Sequence, residues 1–507
     1  MALIDPLHAA MPAERDAPPA SAAPTIQFGL SESRIAAFEQ CPKKLWLMTH
    51  RPALEGSDSS AAARLAEGQK VGEEARAQSV GGFLVHADPN TPSAVETTRT
   101  LLETGHASPI FKAAFEHDGV FVKVDVLEPH HGGWRIVGVK AGCEVKPEHR
   151  RDIATELWVA QEAGLKVTGA TVRHINRDFQ STCAGDREGV FTDVAVYDEL
   201  VDVVAERSAV VAAARAMLAN TEPTVSPGSH CNKPYSCVFA SYCKAEAPQW
   251  PVSLLGRGAA KYAPLESDLT ALDPNTMTSE THRRIWCATV TGEPHRDPAG
   301  AATAMAGWSY PRVWLDFETV QHALPAWPGC KPYRQVPFQF VADIEQADGS
   351  VTQIDFLHLE PDDPRRRCAE ALAQLPSEGA VVAYNASFER ARIEELASDF
   401  ADLASPLASL AARVVDLLPV TRANWYHRDQ RGSWSIKAVL PTIASELNYN
   451  ELMVQHGGEA VDAYREAIAP ETSEERRNAL AEGLRAYCGQ DVFAMRLIAD
   501  ALIKPFD

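Results

Sequence analysis

Asp316 and Glu318 stand two residues apart in the segment VWLDFET. In an extended strand that spacing sends both side chains to one face. Two carboxylates crowded on one face repel unless a cation sits between them, so the pair predicts a divalent metal site. An isolated Asp-x-Glu on an exposed edge strand would carry the same letters without chemistry. Further residues extend the pattern. VVAYNASFERARI runs a buried strand into a helix with Asn385 and Glu389 at the junction, and Asp416 ends the apolar strand RVVDLL. AYCGQDVFAM sets Tyr487 four residues before Asp491, on one helix face.

A second constellation is made of cysteines. HCNKPYSCVFASYC holds Cys231, Cys237 and Cys243, each separated by five residues, and Cys41 lies far upstream in FEQCPKKLWL. Three clustered thiolates and one distant partner can close a four-thiolate site, suited to an iron–sulfur cluster or structural zinc. Zinc sites more often use tight spacings in two pairs, which are absent here. The bland alternative is four buried free thiols acting as small hydrophobes. Cys143, Cys183, Cys287, Cys330, Cys368 and Cys488 share no pattern.

The elements that must position these residues follow from the rest of the chain. A length of 507 residues calls for two large domains and a connector. The divisions expected are a disordered Ala/Pro-rich tail over 1–25, an α/β domain over 26–249, a helical connector over 250–310 and a compact α/β domain over 311–507. Ser31 is expected to cap one helix carrying Phe38, Cys41, Leu45 and Trp46. GVFVKVDVLEP and GWRIVGVKA read as strands joined through His130 to Gly133, followed by a helix over EHRRDIATELWVAQEAG that stops at Gly164. LESDLTALDP is expected to be a packing helix. RVWLDFETV, VTQIDFLHL and AVVAYNAS read as strands, with helices around Phe388–Ala397 and Leu480–Leu502.

A net charge of −20, from 48 basic and 68 acidic residues, argues against indiscriminate nucleic-acid binding while leaving a local basic groove possible. No apolar run is long enough for a membrane span, and the first residues lack a signal-peptide core, so a cytoplasmic location with no membrane partner is expected. Ten cysteines in such a chain favour metal or cluster ligation over disulfides.

The order of the C-terminal carboxylates resembles the DEDD superfamily of proofreading-type exonucleases, which have a ribonuclease H-like fold. The resemblance implies Asp316 and Glu318 as first-motif ligands of two divalent ions (Mg²⁺ or Mn²⁺), Glu389 as the second-motif ligand and Asp491 as the last. Tyr487 would orient or help deprotonate the attacking water. That superfamily usually has Asp where this chain has Glu389. Asn385, Ser435 and Lys437 would contact substrate, and Arg390, Arg392 and Arg428 offer further phosphate partners. Trp425 and Tyr426 would stack a base or simply pack. The segments PFQF, DPRRR, YNASFE, GSWSIKAVLP and LRAYCGQD occur in the same order in a family of uncharacterised bacterial proteins. Those proteins join a RecB-like N-terminal domain to a DEDD-like C-terminal one.

The one-plus-three cysteine pattern resembles the iron–sulfur RecB-family nucleases, implying a 4Fe–4S cluster on Cys41, Cys231, Cys237 and Cys243. In that PD-(D/E)XK fold an Asp ends one strand and Glu-x-Lys lies on the next. Asp125 and Lys140 occupy matching places, but Gly138 stands where the Glu belongs. Glu144 with Lys146 restores the letters beyond the strand, Glu156 after Asp152 stands where a Gln is common, and only Glu73 and Glu74 lie near the first motif. The expectation is a degraded or rearranged site that binds nucleic acid, or else a plain Asp125–Lys140 salt bridge. The whole chain is thus expected to be a metal-dependent nuclease, a 3′–5′ exonuclease in its C-terminal domain, with DNA favoured over RNA by the resemblance. The rival is a non-catalytic nucleic-acid-binding or assembly protein with both sites decayed.

Overall fold

The computed structural model describes residues 29–56, 59–86, 92–183, 185–245 and 248–504. The stretch over 1–25, expected to be a disordered tail, lies outside them. The architecture is mixed α/β with two large mixed sheets.

In the N-terminal half, Ser31 accepts a hydrogen bond from the Arg34 amide and caps α1 (Glu32–Gln40). The single helix expected through Trp46 is two. Pro42 has no amide hydrogen and disfavours helical backbone in the residue before it. Cys41 is therefore extended (φ −164°, ψ 118°), ending α1 and starting α2 (Pro42–His50). After α3 (Ser59–Ala77) and α4 (Pro92–Glu103), α5 spans Pro147–Glu162. The sheet comprises β1 (Leu30–Ser31), β2 (Phe83–Leu84), β3 (Ile110–His117), β4 (Val120–His130), β5 (Gly133–Lys140), β6 (Val167–Ile175) and β7 (Phe191–Ala195), in the order β2-β3-β4-β5-β6-β7 with β1 beside β4. The β4–β5 hairpin turns through His131 and Gly132, both at positive φ, as a two-residue turn matched to strand twist requires. Helix α5 crosses from β5 to the parallel β6 and covers β3 to β6.

The connector departs from expectation. LESDLTALDP is not a helix. Asp268 and Asp273 each cap a short 3₁₀ turn (Leu269–Ala271 and Pro274–Thr276), because Asp side chains bond the amides two residues on. The stretch is held instead by Leu269 N–H donating to Trp250 O, 2.7 Å, and Val252 N–H to Ser267 O, 2.8 Å.

The C-terminal sheet runs β10-β9-β8-β11-β12, with β8 (Arg312–Val320), β9 (Val336–Glu345), β10 (Val351–Leu357), β11 (Val381–Ala383) and β12 (Val414–Asp416). The first three are antiparallel neighbours, and β11 and β12 run parallel to β8. Strand β9 was not among the expected ones, because its nearly unbroken buried run lacks alternation. One face of β8 (Val313, Leu315, Phe317) packs under α6 (Ser387–Asp399) and neighbouring helices. The other carries Trp314, Asp316 and Glu318 and is covered by the long α8 (Glu474–Ile503), with α7 (Gly457–Ala467) at its end. No helix among the described residues is long and apolar enough to cross a membrane.

The loop leaving β8 ties the halves together. Ala323 N–H donates to Glu67 on α3, 2.6 Å, Tyr333 donates to Ala141 O just beyond β5, and Gly329 N–H donates to Ser181 O, 2.8 Å.

Candidate functional site

Period-two geometry puts Asp316 and Glu318 on the α8 face of β8, and helical spacing brings Asp491 over them. Ligand oxygens of the three lie within 4.8 Å of one another. A register shift between Pro337 and Gln339 falls opposite Glu318, a bulge of the kind that re-aims a side chain. Glu318 (8% exposed) and Asp491 (7%) are buried. Burial, then the charges of Asp491, Glu318 and Glu389, push the Asp316 carboxyl well above the usual range. Burial and Asp491 raise Glu318 to about 8.

Glu389 approaches from the first turn of α6, held where Asn385 takes a left-handed turn (φ 72°) out of β11. It is 4% exposed, is pushed to about 8 chiefly by burial, and one of its carboxylate oxygens has no hydrogen-bond donor. A buried, unsatisfied carboxylate oxygen carries a desolvation cost that a ligand or cation removes. The residues therefore fit divalent ions: Asp316, Glu318 and Asp491 form one clustered donor set, and Glu389 faces Asp316 with an unused oxygen.

Tyr487 and Lys437 close the site. Lys437 Nζ donates to the Tyr487 hydroxyl (2.8 Å) and to Gln455 O (2.7 Å), and lies over both the Tyr487 and Tyr449 rings. Burial, then the neighbouring carboxylates, hold the Tyr487 phenol far above its ordinary value, so it keeps its proton and can orient rather than abstract. Tyr449, which no sequence signal singled out, donates to Asp491 Oδ1 at 2.5 Å. Cys488, read as an unpatterned thiol, is buried with its sulfur 3.6 Å from Asp316 Oδ2.

Other expected substrate contacts do not gather here. Asn385 and Ser435 are exposed. Asp416 accepts from the Asn385 and Leu418 amides and so holds backbone. Arg390 donates to Val414 O, Arg392 pairs with Glu395, and Arg428 stacks on Trp250, so these guanidinium groups already have partners. Trp425 and Tyr426 are buried packing residues. A separate group of His358, Glu360 and Asp362 needs no ion, since both imidazole nitrogens face carboxylates.

Residues 313–435 match the family described as Domain of unknown function (DUF2779). Among curated proteins none matches the chain. The matched span contains Asp316, Glu318 and Glu389 but ends before Asp491.

In the N-terminal half the expected Asp125–Lys140 pair is split. Asp125 binds Lys112 (2.5 Å) and the Val139 amide (2.9 Å), while Lys140 binds Asp152 (2.7 Å). A side chain at Gly138 would begin only 3.0 Å from Ile153 Cδ1, so Ile153 fills the place of the missing glutamate. Gly138→Glu is accordingly expected to destabilise the fold by about 1–3 kcal/mol through overpacking, read as a lower midpoint in urea; an unchanged midpoint would show that Ile153 yields. Glu144 is exposed beyond the strand, Glu73 is exposed, and Glu74 bonds Gln78.

Cys41, at the α1–α2 corner, lines one small cavity with Cys231, Cys237 and Cys243. Burial raises the Cys237 and Cys243 thiols, and each feels the other cysteines.

Proposed function

We propose that the C-terminal domain is a ribonuclease H-like, DEDD-type exonuclease that hydrolyses phosphodiesters with Mg²⁺ or Mn²⁺. We further propose that the N-terminal domain is a RecB-like PD-(D/E)XK fold that grips nucleic acid. The observation that carries this reading is the clustering of Asp316, Glu318 and Asp491 from a strand and a helix far apart in sequence. Two divalent ions held by these acids and Glu389 would supply an activated water and charge stabilisation at the leaving oxygen. The chain's own groups do the positioning. Tyr449 fixes the Asp491 carboxylate, Tyr487 offers a hydroxyl to orient water, and Lys437 brings positive charge for a phosphate. DNA is favoured over RNA by the family resemblance.

A local basic groove supports the nucleic-acid partner despite the overall charge. Arg64, Arg76, Lys112 and Lys123 line an open cleft that ends at Asp125. Purified protein given 3′-labelled single-stranded DNA and Mn²⁺ is expected to release nucleotides, and Asp316→Ala to release none. Equal release by both proteins would remove the assignment.

The four cysteines are read as ligands of a 4Fe–4S cluster. Four sulfurs around zinc, with bonds of about 2.3 Å, stand roughly 3.8 Å apart. Among the described residues these thiols do not belong to any group of ligand atoms within 4.8 Å of one another, which favours the larger cluster. The protein is expected to be brown with roughly four irons per chain, and Cys41→Ser to lose both colour and iron. Stoichiometric zinc in a colourless protein would overturn the cluster.

A further inference from the structure

The C-terminal reading leaves unused a cluster of acids inside the N-terminal domain. Glu32 enters from the first turn of α1, Asp152 and Glu156 lie one turn apart on α5, Asp125 comes from β4 and Lys140 from the end of β5. Four carboxylates thus surround two lysines. Lys112 is taken by Asp125 and Lys140 by Asp152. Glu32 and Glu156 remain, two negative charges facing each other within hydrogen-bonding reach. Glu156 is only 3% exposed, and its Oε2 has no hydrogen-bond donor. Two ionised carboxylates in contact, one of them buried, are unfavourable without a cation or a proton between them.

We infer that Glu32 and Glu156, assisted by Asp152, bind a divalent cation of the Mg²⁺/Mn²⁺ class beside Lys140. The charge fits, since the two unpaired carboxylates match one divalent ion. The donors fit as well, being hard oxygens from two helices rather than from one flexible loop. Ile153 occupies the space opposite Gly138, so acids near Lys140 come from the covering helices instead of from β5. Glu32 is only half-buried, which leaves a route from solvent. On that side Tyr235, 52% exposed on the cysteine-bearing segment, lies close enough to Lys140 and Asp152 for both to act on its phenol. The Gln40 side chain holds the Tyr235 carbonyl at 2.7 Å, linking α1 to that segment. Burial raises both Glu32 and Glu156, the direction expected of acids that lack their cation.

The test counts ions on the full-length chain. With Asp316→Asn and Asp491→Asn removing the C-terminal donors, Mn²⁺ titration by calorimetry is expected to show one remaining ion per chain. Adding Glu156→Gln, which keeps the shape, should weaken that ion at least tenfold. Glu32→Gln should do the same and serves if the Glu156 variant does not fold. The inference is overturned if the Asp316/Asp491 variant binds no Mn²⁺. It is also overturned if the glutamines leave Mn²⁺ binding unchanged while raising thermal stability, which identifies a carboxyl pair sharing a proton. Ions lost on the Asp316 and Asp491 substitutions alone report the C-terminal site, so either site can fail without the other.

Discussion

Glu318→Gln is expected to abolish hydrolysis while making the metal-free protein more stable. The side chain keeps its volume but can no longer supply a full negative charge to a cation. Losing one donor of this kind should cost about 4 kcal/mol of transition-state stabilisation, roughly a thousandfold in rate. Without metal the same carboxylate is a liability, because it is 8% exposed and faces Asp491. At pH 9, where Glu318 is ionised, a neutral amide should gain on the order of 1 kcal/mol, or about 2–4 °C in melting temperature. A loss of activity together with a lower melting temperature would mean that Glu318 is structural, and the opposed signs would be absent. A decayed site predicts the stability gain with no activity to lose, which separates the rival reading by the same two measurements.

The second large effect is a pH dependence that divalent ions reverse. Asp316, Glu318 and Glu389 all have raised carboxyl pKa values in the folded state, the latter two to about 8. An acid whose folded pKa exceeds its unfolded value contributes stability below the unfolded pKa and loses it as pH rises through the folded one. For Glu318 and Glu389 that window runs from about 4.5 to about 8. The metal-free protein should therefore lose melting temperature across this interval. Mn²⁺ must displace those protons to bind, so its affinity should climb over the same range and level off above pH 8. At a hundredfold excess over the dissociation constant the ion adds about 2.7 kcal/mol, and the metal-free and metal-loaded melting curves should diverge most at pH 8–9. Parallel curves from pH 5 to 9 would mean that these acids do not share a cation. Asp316→Asn should flatten the difference, since it removes the carboxylate that the other three act on.

How much of this was legible in the sequence depended on distance along the chain. Local rules reached far. Asp-x-Glu on β8, Tyr487 and Asp491 one turn apart, the Ser31 cap and the His131–Gly132 turn all rest on neighbours within four residues. At that range backbone geometry alone decides which way a side chain points. Local reading failed where a nearby rule was overlooked, as when Pro42 split the first helix at Cys41. It also failed where burial erased periodicity, as in β9.

What the sequence by itself determined about this protein is which acids can share a face of one strand or helix. Only the tertiary structure decided that Asp491 lands over Asp316 and Glu318, that Tyr449 reaches Asp491, and that Arg390, Arg392 and Arg428 are occupied elsewhere. It also decided that Glu32 meets Glu156, a pairing across 124 positions that no spacing rule relates. The reason is physical: side-chain direction is set within a turn of backbone, whereas contact between distant segments is set by how apolar faces pack.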